Sequence, residues 1–186
     1  LKYDGCGLIR IVGRALGLPV KAMLTTFHLF HHYQWCARSV RSLDFPREDL
    51  PAVCLACLLA ASKAEDINIK IRMLMPVLER LQPNLPPFEK IILPLGKMPT
   101  KQEASLIYSV ADYEYKVQLS RGFDLDVDHP TDLIADALVE TGAPEEVGEA
   151  VFKVLCSRTY TDSTLCLKDD PEGCLCAAFL YAVQVN

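Results

Sequence analysis

Helical periodicity is the feature that most constrains how this chain can fold. Apolar residues recur at spacings of three, four and seven positions in several long stretches, and alternating strand-like patterns are scarce. Such spacing lines one face of an α-helix, so we predict an all-α protein. Three faces of this kind are formed by Val20, Met23, Leu24, Phe27 and Phe30, by Leu50, Val53, Cys54, Cys57, Leu58 and Ala61, and by Leu106, Val110, Tyr113 and Val117.

Helix-breaking residues divide the first two-thirds of the chain. A proline-rich stretch from Pro83 to Pro99 interrupts any helix, and Thr100 with Glu103 has the spacing of a capping box that starts the next one. The predicted helices of this part are 6–16, 19–37, 48–65, 68–81 and 101–120.

An internal repeat organises the chain into two copies of one helical domain. When the sequence is aligned with itself at an offset of 125 residues, Phe27 aligns with Phe152. At an offset of 121 residues, Leu59 aligns with Leu180. In both alignments the apolar helix faces are in register. We therefore predict a first domain at 1–125 and a second at 126–186. The second copy has room for three helices and ends within an apolar one, so we expect the natural chain to continue.

Charge and hydropathy disfavour several kinds of partner. The chain carries 19 Lys and Arg against 24 Asp and Glu, and residues 124–186 are more acidic than basic. A general nucleic-acid binder needs the opposite balance, because phosphate contacts dominate its affinity. Apolar runs are too short to span a membrane. We expect neither nucleic acid nor a membrane as partner.

Motifs that imitate chemical sites are better explained as structural features. Cys54-x-x-Cys57 lies within an apolar helix, whereas a reactive pair needs an exposed helix N-terminus. His28 and His32 lie one turn apart but have no evident third ligand. The acidic run from Asp124 to Asp128 lacks the later positions of a calcium loop. We predict no catalytic residue, no metal site and no cofactor.

Several segments together resemble the cyclin family. Leu58–Asp66 matches the apolar run, Ala-Ser-Lys and two acidic residues at the end of the third helix of a cyclin box. Tyr113-Glu114 followed by Gly122-Phe123-Asp124-Leu125 resembles the end of its fifth helix, and Asp128-His129-Pro130 resembles the start of the second box in transcription-type cyclins. Leu18–Met23 looks like their second helix, and cyclins of the L and K type are the most similar branch.

The resemblance implies a tandem cyclin-box fold, with a five-helix repeat followed by a second, incomplete repeat. It also implies a nuclear regulatory subunit, not an enzyme, that binds and activates a cyclin-dependent serine/threonine kinase in transcription by RNA polymerase II or in RNA processing. In that family a lysine and a glutamate, here Lys63 and Glu114, lie at the mouth of a groove between helices three and five. The implied partner-binding set is Lys63, Ala64, Glu65, Glu114, Gln118 and Phe123.

The sequence also departs from the family pattern. Gln118 and Arg121 stand where cyclins usually have apolar residues, and Asp66 replaces a commoner glutamate. The second copy has Gln184 in place of Lys63, so we expect only the first copy to engage a kinase. Two alternatives remain open: the core of a cyclin-fold general transcription factor, which should be basic, and a peptide-binding scaffold, which should bind without activating.

Overall fold

A computed structural model describes residues 5–39, 50–74, 77, 101–163, 167 and 170–185. The predictions for the proline-rich stretch, for the Thr100 cap and for positions 75, 76 and 78–81 of the helix 68–81 lie outside these residues. Within the described part this helix begins at 71, three residues later than predicted. All regular secondary structure of the described residues is helical, which confirms the all-α prediction. The arrangement as two successive cyclin boxes stays a prediction.

The chain divides into two compact units, Leu1–Leu125 and Asp126–Asn186. The helices of the first unit are α1 (Gly5–Ala15), α2 (Val20–Ser39), α3 (Leu50–Ala64), α4, described over 71–74, and α5 (Lys101–Ser120). The second unit contains a 3-10 turn (Pro130–Leu133), α6 (Ile134–Thr141), α7 (Glu145–Leu155), α8 (Arg158–Thr161) and α9 (Pro171–Val185).

Helix α3 lies at the centre of the first unit. Every residue from Ala52 to Ser62 is buried, and α1, α2 and α5 all pack against this helix. A helix that is apolar on all sides is expected in such a position. Leu55 and Leu58 are fully buried, and each contributes about 1.5–3 kcal/mol through removal of apolar surface from water. The Ser62 hydroxyl donates to the Leu58 carbonyl at 2.7 Å, so the one polar side chain of the run is satisfied.

The two cysteines of α3 are part of this core. Cys54 and Cys57 are both fully buried, and the Cys54 thiol contacts the Gly5 carbonyl oxygen at 3.6 Å. Burial raises the pKa of the Cys57 thiol well above its usual range. A thiolate, the reactive form, is therefore suppressed at neutral pH. This environment agrees with the interpretation of the Cys-x-x-Cys motif as core packing.

The second unit is built around α7 and α9. Val151 and Leu155 of α7 pack with Leu175, Ala178 and Ala182 of α9 to form its buried core. Asp170 caps the N-terminus of α9. One of its carboxylate oxygens accepts a hydrogen bond from the backbone N–H of Gly173 at 2.8 Å. Asp followed by Pro is a common helix-start sequence, because the proline needs no hydrogen-bond acceptor in the first turn.

Both units contain a helical hairpin with the same kind of turn. Gly17 ends α1 and Gly142 ends α6, with φ angles of 67° and 63°. In each case a proline follows two positions later, Pro19 or Pro144, and the next helix begins directly after it. The left-handed conformation explains why glycine occupies both turns. The two turns are 125 residues apart, the offset at which the sequence repeat aligns them.

The helix contact within each hairpin uses one glycine and one long apolar side chain. In the first unit a Cβ atom on Gly13 of α1 would overlap the sulfur of Met23 on α2. In the second unit a Cβ atom on Gly148 of α7 would lie 2.6 Å from Cδ1 of Leu138 on α6. At the offset of 125, Gly13 aligns with Leu138 and Met23 with Gly148. The same two positions therefore touch in both hairpins, with the large and small residues exchanged.

This exchange predicts a compensating double substitution in the first unit. We expect Gly13→Leu and Met23→Gly each to lower the free energy of unfolding by about 1–3 kcal/mol, the first by overpacking and the second through lost packing and helix propensity. The double variant should be more stable than the sum of the single effects by about 0.5 kcal/mol or more. Chemical denaturation of the four chains measures this coupling.

Arg14, the exposed neighbour of Gly13, provides the control. Arg14→Leu combined with Met23→Gly should show additive effects, because Arg14 is exposed and its side chain is rotated by about 100° from that of residue 13 around the helix. If Gly13→Leu and Met23→Gly are equally additive, the contact does not specify the hairpin and the interpretation is wrong.

Candidate functional site

The C-terminal end of α3 is closed by a turn that fixes the position of Lys63. The Ile67 N–H donates to the Ser62 carbonyl at 2.7 Å, and the Asp66 N–H donates to the Lys63 carbonyl at 3.3 Å. Asp66 has a φ of 54°, the left-handed conformation that such a closing residue requires. Aspartate tolerates this conformation better than most residues. The departure from the family glutamate therefore coincides with a backbone role at position 66.

Lys63 and Glu114 form an ion pair between α3 and α5. The Lys63 ammonium lies 2.6 Å from Oε1 of Glu114, and their side chains are 59% and 13% exposed. The structure thus brings together the two residues that the sequence analysis placed side by side. The carboxylate is largely shielded, whereas the ammonium keeps most of its surface in solvent. Its remaining donors are available to acceptors outside the chain.

Gln118 extends the same face by one helical turn. Its side-chain amide approaches Oε1 of Glu114 at 3.5 Å, near the limit for a hydrogen bond. Residues four apart on a helix are neighbours, so Gln118 can help to orient the Glu114 carboxylate. A glutamine here has a polar partner within the chain, which gives the departure from an apolar residue a physical reason.

Glu65 faces a different direction from Lys63. One of its carboxylate oxygens accepts a hydrogen bond from the Thr25 hydroxyl at 2.8 Å, and the other lies 3.7 Å from the Lys21 ammonium. Thr25 is fully buried, and both partners belong to α2. The carboxylate therefore ties the end of α3 to α2 within the unit. Ala64, between the two charged residues, is half-buried. The sequence analysis did not identify Lys21 and Thr25, although their spacing of four was visible.

Phe123 presents an aromatic ring at the end of α5. It is 55% exposed, and its ring centroid lies 5.9 Å from that of Tyr115. The Phe123 N–H donates to the Gln118 carbonyl at 2.8 Å, which closes the helix after the left-handed Gly122. Phe123 itself has a φ of 65°, an unfavourable conformation for a bulky residue. An exposed ring held at a conformational cost is characteristic of binding sites.

Polar side-chain contacts join α2 to the C-terminal end of α5. Arg121 donates from Nε to the Asp124 carbonyl at 3.2 Å, and its guanidinium lies 3.4 Å from a ring nitrogen of His28. His32, stacked on His28 with centroids 6.3 Å apart, lies 3.5 Å from the Ser120 hydroxyl. The histidine spacing that resembled metal ligation thus faces α5, and Arg121 has polar partners that account for a charged residue here.

The remaining sequence motifs are the candidate metal ligands, the acidic run from Asp124 to Asp128 and the counterpart of Lys63 in the second unit. Among the described residues, no group of three or more His, Cys, Asp or Glu side chains is arranged to hold a metal ion. Asp124, Asp126 and Asp128 are exposed, as is Gln184, the counterpart of Lys63 in the second unit. No helix in the described part of the chain is long and apolar enough to cross a membrane.

The conformation of Phe123 predicts an unusual response to substitution. Phe123→Gly and Phe123→Ala both remove the ring, but only glycine relieves the left-handed backbone. We expect the glycine variant to be more stable than the alanine variant by about 1 kcal/mol. Denaturant unfolding of the two variants measures the difference. Equal stabilities, or a more stable alanine variant, would show that the backbone at position 123 is not strained.

No family model matches the chain, but curated proteins do. It is 31% identical over 189 residues to cyclin-L1 of Homo sapiens, 27% identical over 184 residues to cyclin-L1-1 of Arabidopsis thaliana, and 26% identical over 186 residues to cyclin-L2 of Mus musculus. Each match covers 99% of this chain but only 33%, 42% and 34% of the respective relative. The chain therefore spans about a third to two-fifths of the length of these proteins. The similarity extends over nearly the whole chain and agrees with the residue motifs and the all-α fold, and on these grounds the chain is a cyclin L-like member of the cyclin family.

Proposed function

We propose that this chain is the cyclin-type regulatory part of a nuclear protein-kinase complex, without chemistry of its own. Its partner would be a cyclin-dependent serine/threonine kinase that acts in RNA polymerase II transcription or RNA processing. The observation that carries the proposal is the Lys63–Glu114 pair at the junction of α3 and α5. The cyclin L relatives support the same assignment.

The pair has the properties of an interface anchor. In the isolated chain it is partly exposed, and such pairs contribute only about 0.2–1 kcal/mol to stability. When a partner covers the site, loss of one member leaves the other buried without its charge, which costs about 2–5 kcal/mol. The pair therefore matters far more for binding than for folding.

The proposed contacts explain activation without a catalytic group. Lys63 would donate to backbone carbonyls of a mobile kinase helix, and Glu114 would accept from its backbone N–H groups. Phe123, with the aliphatic surface around Ala64, would cover the apolar side of that helix. Docking holds the helix inward, which completes the lysine–glutamate ion pair of the kinase and positions the nucleotide phosphates.

Removal of the two charges tests the proposal. We expect the wild-type chain to capture a cyclin-dependent kinase from nuclear extract in active form. The Lys63→Ala/Glu114→Ala variant should remain folded by circular dichroism but lose about tenfold or more of the bound kinase and its activity. The measurements are mass spectrometry of the captured proteins and phosphate transfer to a peptide substrate.

A second ion pair on α5 gives a matched control. Lys116 and Asp112 lie one turn apart with a separation of 2.5 Å, and both are substantially exposed. Asp112→Ala/Lys116→Ala removes the same charges from the same unit and should leave kinase capture unchanged. If the Lys63/Glu114 variant captures and activates as well as wild type, this site is not the interface. Capture without activation would instead favour a binding scaffold.

The alternative of a cyclin-fold general transcription factor is disfavoured by charge. Residues 126–186 contain twelve Asp and Glu but only three Lys and Arg. An acidic surface repels the phosphate backbone, so the second unit is poorly suited to bind DNA.

A further inference from the structure

The second unit has an open apolar groove between α6 and α7. It encloses about 550 Å³, and its apolar lining comes from both helices of the hairpin. Phe152 is 39% exposed and lies on the side of α7 that faces away from the buried core. Its counterpart in the repeat, Phe27, is buried in the first unit. The apolar lining residues are Ile134, Ala135, Leu138, Gly148 and Phe152.

The close approach of the two helices shapes the groove. Gly148 lacks a side chain where α7 passes Leu138, so the two helices can approach closely at that point. Helix α6 has 8 residues and α7 has 11. At 1.5 Å per residue they are about 12 Å and about 16 Å long, which suits two to three turns of a third helix.

Acidic side chains outnumber basic ones around the groove, and its lining includes one basic residue, Lys153. Glu145 and Glu149 line it directly, and Glu149 lies 3.4 Å from the Lys153 ammonium. From Gly122 to Phe152 the sequence contains no lysine or arginine. The acidic residues of 126–152 are all exposed: Asp126, Asp128, Asp132, Asp136, Glu140, Glu145, Glu146 and Glu149. Such a concentration of one sign of charge creates a strong negative potential around the apolar floor.

We propose that this groove binds a short basic amphipathic helix of a partner protein. The apolar floor accepts side chains spaced at i, i+3 or i+4, and i+7, as helix-binding grooves do. Lysines and arginines beside that face would meet the carboxylates at the rim. The same negative potential repels nucleic acid and anionic membranes, so a protein segment fits better than either. This surface is on the second unit and is separate from the Lys63/Glu114 site of the first.

The test is a selection from a displayed library of helical peptides, with both faces randomised, on the full 186-residue chain. We expect enriched peptides to combine an apolar stripe with flanking Lys or Arg, and their affinity to fall as salt is raised. Glu145→Gln/Glu149→Gln should weaken a selected peptide by about tenfold, and Phe152→Gln should weaken it comparably. Fluorescence anisotropy gives the Kd values.

Asp162→Asn/Glu172→Gln is the matched control, because both residues are exposed, lie outside 126–152 and do not line the groove. It removes the same charge from the same unit and should change affinity by no more than about twofold. Equal weakening by the control would show unspecific charge attraction and overturn the proposal. Enrichment without basic residues, or no peptide sensitive to the groove substitutions, would also overturn it. Tight binding of duplex DNA or anionic vesicles at this surface would exclude a basic partner.

Discussion

The burial of α3 is the constraint on which the first unit depends. Its sequence offers no polar face, so other helices must cover it on all sides, and α1, α2 and α5 do so. Small residues such as Ala56 and Ala60 allow these neighbours to approach closely. The burial of α3 also determines where Lys63 of the candidate site reaches solvent. The buried run of α3 ends at Ser62, and Lys63 is the next residue and is exposed.

The packing of the core therefore determines where the backbone of the candidate site lies. Lys63 is fixed by the end of a buried helix, and Glu114 is fixed by the packing of Tyr113 and Val117 on either side of it in α5. Glu65 then ties the same end of α3 to α2 through Thr25. A partner would meet charges that are already placed, so little ordering is required on binding. Such preorganisation would favour binding, because fewer side chains would lose freedom in a complex.

Much of this could be predicted from the sequence, and the limits have physical reasons. Periodicity predicted helices in the first unit, because a 3.6-residue repeat records directly which face is buried. For the second unit the sequence predicted three helices, whereas its described residues form four α-helices and a 3-10 turn. The direction of Glu65 was not predictable, since a carboxylate at a helix end can face either neighbour. The role of Asp66 was also missed, because a left-handed closing residue is usually expected to be glycine or asparagine. Likewise, nothing in the sequence around His28 and His32 distinguishes polar contacts between two helices from a metal site.

The exchanged glycines at 13 and 148 have a consequence for how two similar hairpins fold within one chain. Each hairpin pairs one large residue with one glycine. If α1 associated with α7 during folding, two glycines would meet and leave a void. If α6 associated with α2, Leu138 and Met23 would collide. Each helix therefore recognises its own neighbour by shape, and two related sequences can fold side by side without exchanging partners.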